Sequence, residues 1–308
     1  MESREKSRLR RAIEQVLLLA LVVVIFWLIF RRVKVSDVLA ALKSVEPVRF
    51  FALSFLFVCA TVLLDSYTHF ILFRGFDFGF SFAQMLKLRL ANLLFSSLGF
   101  IYGQGGMVWM AGRDSQKPPT RIVGMLAFLF FNSFHAALFW VTLGMAVLLP
   151  WANVPNQFRW LWVWIAIDWP LYFAWVLFWQ SRFKNRVPAS LRASLLYGFD
   201  HAGPLLYLKM FLLRAAQFLV IAVFIWMAMP AMHIQVPFRV VMSLLPIQGI
   251  IIAIPTLGKY GVNEGAFLLL FKPWAAGSSL VAFALLWGTS SNILRVLASL
   301  FGLRRSAK

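Results

Sequence analysis

The chain has 308 residues, of which 61% are hydrophobic and 13% are charged, and its formal net charge is +19. Soluble domains average about 45–50% apolar and 25% charged residues, so this composition excludes a soluble protein and predicts an integral membrane protein. The single cysteine, Cys59, excludes an intrachain disulfide and a metal site built from several cysteines.

The chain is expected to form one membrane domain over residues 1–308, because no polar stretch is long enough to bury a core of its own. We divide it into a first half of about 15–150 and a second half of about 158–303, with a basic tail at 1–13 and a short tail at 304–308. Most Lys and Arg residues lie between apolar runs, where they fix topology and meet anionic lipid headgroups. We therefore interpret the net charge as a topological signal and expect no nucleic-acid partner.

Six apolar runs have about the length that a membrane-spanning helix needs. In chain order they are residues 16–30, 50–73, 122–149, 160–180, 211–229 and 278–303. After the first run, the amphipathic sequence SDVLAALKSVEP predicts a short interfacial helix that ends before Pro47.

Two further hydrophobic segments, 82–110 and 241–271, are interrupted by glycines and polar residues. They contain SLGFIYGQGG from Ser97 and TLGKYGVNEG from Thr256, which share a hydroxyl residue, Leu, Gly, a later amide residue and a later glycine. Three predicted spans separate the two copies, so the second is inverted relative to the first. Inverted repeats with broken helices are typical of secondary transporters. An exposed loop between two ordinary spans is the alternative interpretation.

The predicted fold is therefore an all-α polytopic membrane protein with six full transmembrane helices and two re-entrant helical hairpins in an inverted repeat. The glycines expected to break the helices are Gly99, Gly103, Gly106, Gly258, Gly261 and Gly265. The distribution of basic residues predicts that both termini are cytoplasmic, as in a protein of the bacterial inner membrane. Arg31, Arg32 and Lys34 oppose this orientation, since they would lie outside.

Broken backbone inside a membrane requires protein or a water-filled cavity to satisfy its hydrogen bonds, which predicts a polar pocket where the hairpins meet. Ionisable side chains in a span cost about 2.5–3.5 kcal/mol each, so they are candidates for function. The predicted substrate path comprises Lys259, Asn263, Glu264, Gln104, Arg89, Asp65, Asp168 and Arg295. For Asp168 a structural ion pair with Arg295 or Arg89 is an equal alternative.

Other polar residues in the spans are given structural roles. Arg214 and Lys87 are expected near helix ends, with their charges reaching the interface. Asn132, Ser133 and His135 are expected to form hydrogen bonds between helices. The sequence has no zinc-type histidine spacing, phosphate loop or acidic cluster, so we predict neither enzymatic activity nor a metal or cofactor.

The sequence IPTLGKYGVNEGAFLLLF, followed by a long apolar helix, resembles the second-half signature of the lysylphosphatidylglycerol synthetase transmembrane-region family of flippase-like proteins. ANLLFSSLGFIYGQGGMVWMAGR occupies the place of the first-half signature, and the likeness extends over roughly residues 15 to 303. The residues that match directly are Gly106, Gly258, Gly261, Glu264 and Gly265. The chain departs from the family at Asn263, where an Arg is usual, and at Met107, where an acid is frequent.

The resemblance implies lipid translocation or a lipid-linked role in the cell envelope. We expect a flippase that moves an anionic or zwitterionic phospholipid, or a lipid-linked precursor, between leaflets. Its expected partners are membrane lipids with anionic headgroups, with a homo-oligomer or a lipid-synthesis protein as further possibilities. The alternative functions are an accessory subunit and an enzyme of envelope lipid or glycolipid synthesis.

Overall fold

The computed structural model describes residues 23–31, 33–148, 161–251 and 260–304. Regular structure in these ranges is helical throughout, without a strand. In chain order the helices are α1 (23–30), α2 (Val35–Lys43), α3 (Pro47–Gly75), α4 (Phe82–Leu98), α5 (Phe100–Ser115), α6 (Pro119–Leu143), α7 (Leu161–Gln180), α8 (Ala189–Arg192), α9 (Tyr197–His201), α10 (Pro204–Ala228), α11 (Phe238–Ile251), α12 (Val262–Phe271) and α13 (Gly277–Arg304).

Five of these helices are long and apolar enough to cross a membrane, which supports an integral membrane protein. They are α3, α6, α7, α10 and α13, and with their short extensions they have 20 to 29 residues. At 1.5 Å per residue this corresponds to about 30–44 Å, enough for a hydrocarbon core of about 30 Å. Of the sixth predicted span, residues 16–30, the structure describes residues 23–30 as α1, and residues 16–22 lie outside the described residues.

The starts of the long helices follow from local sequence. Pro47, Pro119 and Pro204 occupy the first turns of α3, α6 and α10. Backbone N–H groups in the first turn have no hydrogen-bond acceptor within the helix, so a proline there breaks no helical hydrogen bond. At the start of α4 the Ser81 Oγ accepts a hydrogen bond from the Gln84 backbone N–H at 3.2 Å, and the Gln84 side chain accepts one from Ser81 N–H at 2.8 Å. This capping box satisfies two N–H groups that a buried helix end would leave unpaired.

Helices α4 and α5 fold back on each other around Gly99. Gly99 has φ +147°, a conformation that other residues rarely adopt, and it interrupts the helical hydrogen bonding between α4 and α5. A Cβ atom at Gly103 would lie 2.6 Å from the Ser96 hydroxyl, and one at Gly106 would lie 2.6 Å from Asn92 Oδ1. The absent side chains therefore allow the two helices to pack closely.

The structure corrects the predicted role of several glycines. Gly99 and Gly261 lie at helix boundaries, and both have positive φ. Gly103 and Gly106 instead lie inside α5, and Gly265 lies inside α12. In α5 they act as contact positions, because a helix can contain glycine where a neighbouring helix approaches closely. Gly258 lies outside the described residues.

Two apolar clusters form the core. The first joins the N-terminal part of α3 to the C-terminal part of α10 and to α11, α12 and α13. The second joins the C-terminal part of α3 to α4, α5, the N-terminal part of α6 and the start of α10. Along α3, the segment between Val58 of the first cluster and Leu72 of the second carries Thr61, Asp65 and His69. The core is therefore divided by a polar layer at mid-helix.

The packing of α5 on α4 predicts different effects for two adjacent glycines. Gly106→Ala should destabilise the protein by about 1–3 kcal/mol, because the added methyl group would overlap Asn92 and Phe95. Gly105→Ala is the matched control: nothing lies within 4 Å of its Cβ position, and we expect a change within about 1 kcal/mol. Thermal unfolding in detergent measures both, and equal melting temperatures would contradict the described packing.

Candidate functional site

A cavity of about 340 Å³ occupies the polar layer between the two apolar clusters. Its walls come from α3, α4, α5, α6, α10, α11 and α13. The polar residues that line it are Thr61, Asp65, His69, Arg89, Ser96, Gln104, Ser133, Arg214, Gln217 and Arg295. Ligand pockets are typically about 300–1,000 Å³, so this cavity is within the size range of a small-molecule site.

Asp65 on α3 is the centre of an ion-pair network that joins three helices. Its Oδ2 contacts Arg89 Nη2 on α4, and its Oδ1 contacts Arg214 Nη1 on α10 at 2.9 Å. The side chains of Asp65, Arg89 and Arg214 are 14%, 12% and 11% exposed. Arg214 also donates to the Gln217 side chain one turn along α10. In this low-dielectric layer, the two arginines offset the cost of burying the carboxylate.

His69 lies one turn after Asp65 and lines the same cavity. Its Nδ1 is 2.8 Å from the backbone carbonyl oxygen of Asp65 and 3.5 Å from Asp65 Oδ1. A carbonyl oxygen can only accept, so Nδ1 is assigned as the protonated nitrogen of the ring. In the neutral imidazole this leaves Nε2 as a hydrogen-bond acceptor.

Arg295 on α13 brings a third guanidinium to the cavity. It is close enough to interact electrostatically with Asp65 and Arg89, yet within the described ranges it makes no hydrogen bond or ion-pair contact. The Nε atoms of Arg89 and Arg214 are also buried without a hydrogen-bond partner there. Among the described residues, three arginines and one aspartate line the cavity, so positive charge exceeds negative charge in this part of the wall.

Four of the predicted path residues therefore meet at one site: Asp65, Arg89, Gln104 and Arg295. Asp168 lies elsewhere, on α7, with its Oδ2 3.1 Å from His135 Nε2 on α6. The alternative pairing of Asp168 with Arg295 or Arg89 is thus wrong. The reason is geometric, because α7 packs on α6 at a site separate from the cavity.

The second interrupted segment supplies structural contacts outside this cavity. Asn263 accepts a hydrogen bond from Gln248 Nε2 at 2.6 Å and donates one to the Ala284 carbonyl oxygen at 3.2 Å, which joins α11, α12 and α13. The fully buried Glu264 accepts a hydrogen bond from Gly261 N–H at 2.6 Å at the start of α12. Neither residue lines the cavity. Lys259 lies outside the described residues.

Sequence reasoning missed several polar residues of the site, among them Arg214, Gln217 and His69. Arg214 was expected near a helix end, but α10 begins at Pro204, so the arginine lies at mid-helix and its predicted interfacial position is wrong. Gln217 follows it on the same helix face. His69 has the i+4 spacing from Asp65 that places both on one face of α3, and this signal is visible in the sequence.

The predicted polar patch on α6 is confirmed for only one of its members. Asn132 and Ser133 donate to carbonyl oxygens one turn earlier in α6, at 2.8 Å each. Among the described residues, His135 is the member of this patch with a polar contact to another helix, through Asp168 on α7. Ser133 also lines the cavity.

No protein-family model matches the chain, and no curated protein matches it. The resemblance to the lysylphosphatidylglycerol synthetase transmembrane-region family therefore stays a prediction. The geometry of the cavity is the basis for inferring function.

The ion-pair network predicts that Asp65 is essential for stability. Asp65→Asn should destabilise the protein by about 3–5 kcal/mol, because it leaves the Arg89 and Arg214 charges buried without a counter-ion. Asp77→Asn, at an exposed position after α3, removes the same charge without breaking an ion pair and should have little effect. Thermal unfolding in detergent compares them, and an Asp65→Asn melting temperature equal to that of Asp77→Asn would contradict the described network.

Proposed function

We propose that this protein moves a lipid with an anionic headgroup between the two leaflets, and that the headgroup passes through the central cavity. The observation that carries the proposal is the excess of arginine in the cavity, above all Arg295, which has no ion-pair partner among the described residues. A charged side chain at the centre of a span costs about 2.5–3.5 kcal/mol on insertion scales. An anionic ligand in direct contact with Arg295 would offset that cost more fully than the longer-range attraction to Asp65 does.

The depth of the cavity agrees with such a route. At 1.5 Å per residue, Asp65 lies about 15 Å from the end of α3 at Gly75, and Arg214 lies about 15 Å from the start of α10 at Pro204. This is about half the thickness of a hydrocarbon core. The arginines would therefore meet a headgroup near the midplane, where translocation is most costly.

Helix packing supports an inverted repeat of α2–α6 and α9–α13. The helices of the two repeats correspond in pairs: α2 with α9, α3 with α10, α4 with α11, α5 with α12 and α6 with α13. When the helices of a contact are replaced by their counterparts, several observed helix contacts become other observed contacts. Thus α4 packs on α13 as α11 packs on α6, α2 packs on α13 as α9 packs on α6, and α3 and α10 pack on each other. The starting residues also keep a nearly constant spacing along the chain, from Pro47 to Pro204, from Phe82 to Phe238 and from Pro119 to Gly277.

The repeat gives a physical route for alternating access. Asp65 and Arg89 belong to the first repeat, whereas Arg214 and Arg295 belong to the second. Rocking of one repeat against the other would change the distance between Asp65 and Arg214 and would open the cavity to each side in turn. A headgroup anion that competes with Asp65 for Arg214 would lower the cost of separating the pair.

The apolar part of the cavity wall suits lipid chains. Phe130, Phe134 and Phe218 line it beside the arginines, and Phe130 is 49% exposed on the outer surface of the bundle. A lipid could therefore keep its acyl chains in the bilayer near α6 while its headgroup enters the polar layer.

The proposed orientation keeps the basic connections on the cytoplasmic side. The C-terminal end of α3 packs against the start of α10, since a Cβ atom at Gly75 would contact Leu206. The Arg121 guanidinium lies over the Tyr197 ring at 5.3 Å. Arg74, the start of α6 and the segment that contains α8 and α9 therefore share one end of the bundle, as a positive-inside arrangement in a bacterial-type inner membrane requires.

Removal of the Arg295 charge should abolish transport while leaving the fold intact. Arg295→Gln leaves no counter-ion unpaired, so its effect on stability should be within about 1 kcal/mol. In proteoliposomes with fluorescent lipids in both leaflets, dithionite quenching measures how much lipid the protein scrambles. The wild type should expose inner-leaflet anionic lipid, and Arg295→Gln should reduce the rate at least about tenfold, since a hydrogen bond to a charged group contributes about 1.5–3 kcal/mol.

Lys87→Gln is the matched control, because it removes a positive charge from the exposed face of α4 outside the cavity. It should scramble lipid at the wild-type rate. Full activity of Arg295→Gln would remove that residue from the path. No flux in the wild type, together with recovery of a stable complex with a lipid-synthesis enzyme, would contradict transport and favour the accessory role.

A further inference from the structure

The central cavity holds more positive charge than a phosphodiester headgroup would neutralise. Within the described part of its wall, the cavity has one aspartate and three arginines, Arg89, Arg214 and Arg295, which leaves two formal positive charges when His69 is neutral. A phosphate diester, as in phosphatidylglycerol, carries one negative charge. A phosphate monoester carries about −1.5 to −2 at pH 7, so its charge matches the cavity more closely.

The unused hydrogen-bond groups point to the same chemistry. The Arg295 guanidinium makes no hydrogen bond or ion-pair contact among the described residues, and the Arg89 and Arg214 side chains line the same cavity. These donors come from three different helices, so they can approach one anion from several directions. A monoester phosphate offers three terminal oxygens to such donors, whereas a diester offers two.

His69 adds an acceptor to this set of donors. Its Nδ1–H is directed to the Asp65 carbonyl oxygen, which leaves Nε2 as the acceptor of the neutral ring. The second pKa of a phosphate monoester is about 6, so part of the population carries a P–O–H group at neutral pH. In this monoanionic form the proton can be donated to His69 Nε2, whereas the dianionic form supplies the second negative charge for the arginines. A phosphodiester has neither the proton nor the second charge at neutral pH.

A zwitterionic headgroup fits the cavity less well. Its ammonium or choline group would lie within a few ångströms of its phosphate and would face the same three arginines. Like charges at such distances repel strongly where water is scarce. The cavity therefore disfavours lipids whose headgroup carries a cation.

We propose that the central cavity selects a phosphate monoester at the end of a lipid over phosphodiester and zwitterionic headgroups. This inference rests on the proposed transport of lipids and names the substrate class of the same site. The monoester chemistry itself could also belong to a soluble phosphate ester, so the experiment includes one. Phosphatidic acid is the simplest lipid probe of this class.

Binding to the purified full-length protein in detergent tests the selection directly. The probes are dioctanoyl phosphatidic acid, dioctanoyl phosphatidylglycerol, dioctanoyl phosphatidylcholine and glycerol 3-phosphate, titrated by calorimetry at neutral pH. We expect the wild type to bind dioctanoyl phosphatidic acid about tenfold or more tightly than the phosphatidylglycerol, because at least one additional charge-assisted hydrogen bond forms. The phosphatidylcholine and glycerol 3-phosphate should bind more weakly still.

Variants connect the preference to the cavity. Arg295→Gln should weaken phosphatidic acid binding at least about tenfold and should weaken phosphatidylglycerol binding less. The ratio of the two affinities should therefore fall. Arg295→Lys retains the positive charge but lacks the planar guanidinium group with its paired N–H donors. It should therefore lose only part of the preference for phosphatidic acid over phosphatidylglycerol. Lys87→Gln should bind all four probes like the wild type. If Arg295→Gln elutes as aggregated protein, Arg295→Lys carries the comparison, and an unchanged preference in that variant contradicts the role of the guanidinium.

The results separate this inference from the proposed function. Equal wild-type affinity for the phosphatidic acid and the phosphatidylglycerol would overturn monoester selection, while transport of both lipids would leave the proposed function intact. Selective binding of phosphatidic acid without flux of any lipid would support the site and contradict transport. Glycerol 3-phosphate that binds as tightly as dioctanoyl phosphatidic acid would support the monoester chemistry but overturn its assignment to a lipid.

Discussion

The ion pair of Asp65 with Arg89 and Arg214 is the interaction on which the rest of the structure depends. Each of these charges would be costly alone in a bilayer, by about 2.5–3.5 kcal/mol for an arginine or aspartate at the centre of a span. The three side chains lie on α3, α4 and α10, so the cost is offset only when these helices pack in one register. The network thus fixes the position of α4, an interrupted segment, against two long spans.

The same network divides the apolar core into two clusters, and this division creates the cavity. Leucine, phenylalanine and methionine fill the space on either side of the polar layer. Side chains that cluster around a buried ion pair cannot fill its surroundings as closely, because their polar atoms require partners or water. Arg295 enters this layer without a hydrogen bond or ion-pair contact among the described residues, so its guanidinium gains only longer-range attraction to Asp65. The proposed anionic ligand would supply a direct contact.

The sequence predicted the membrane class, five of the six expected spans and the break at Gly99, because these follow from local composition and from glycine geometry. It also selected Asp65, Arg89, Gln104 and Arg295, since charge inside an apolar run is costly wherever it occurs. Arg214 and the partner of Asp168 could not be predicted in this way. Both depend on where a helix begins and which helix packs beside it, and these are properties of tertiary contacts. The predicted span began at residue 211, whereas α10 begins at Pro204. This difference of several residues is enough to place Arg214 at mid-helix instead of near a helix end.

The described contacts distinguish the roles of the two similar glycine-containing segments. In the first, α4 contributes Arg89 and Ser96 to the cavity, and α5 contributes Gln104. In the second, Asn263 and Glu264 bond to backbone and side-chain groups of α11, α12 and α13, so their polar atoms stabilise the fold. Arg295 lies on α13, the helix that packs on both α4 and α12. The positive charge of the site therefore comes from α4 and from the long helices α10 and α13, while the described part of the second segment holds those helices in place.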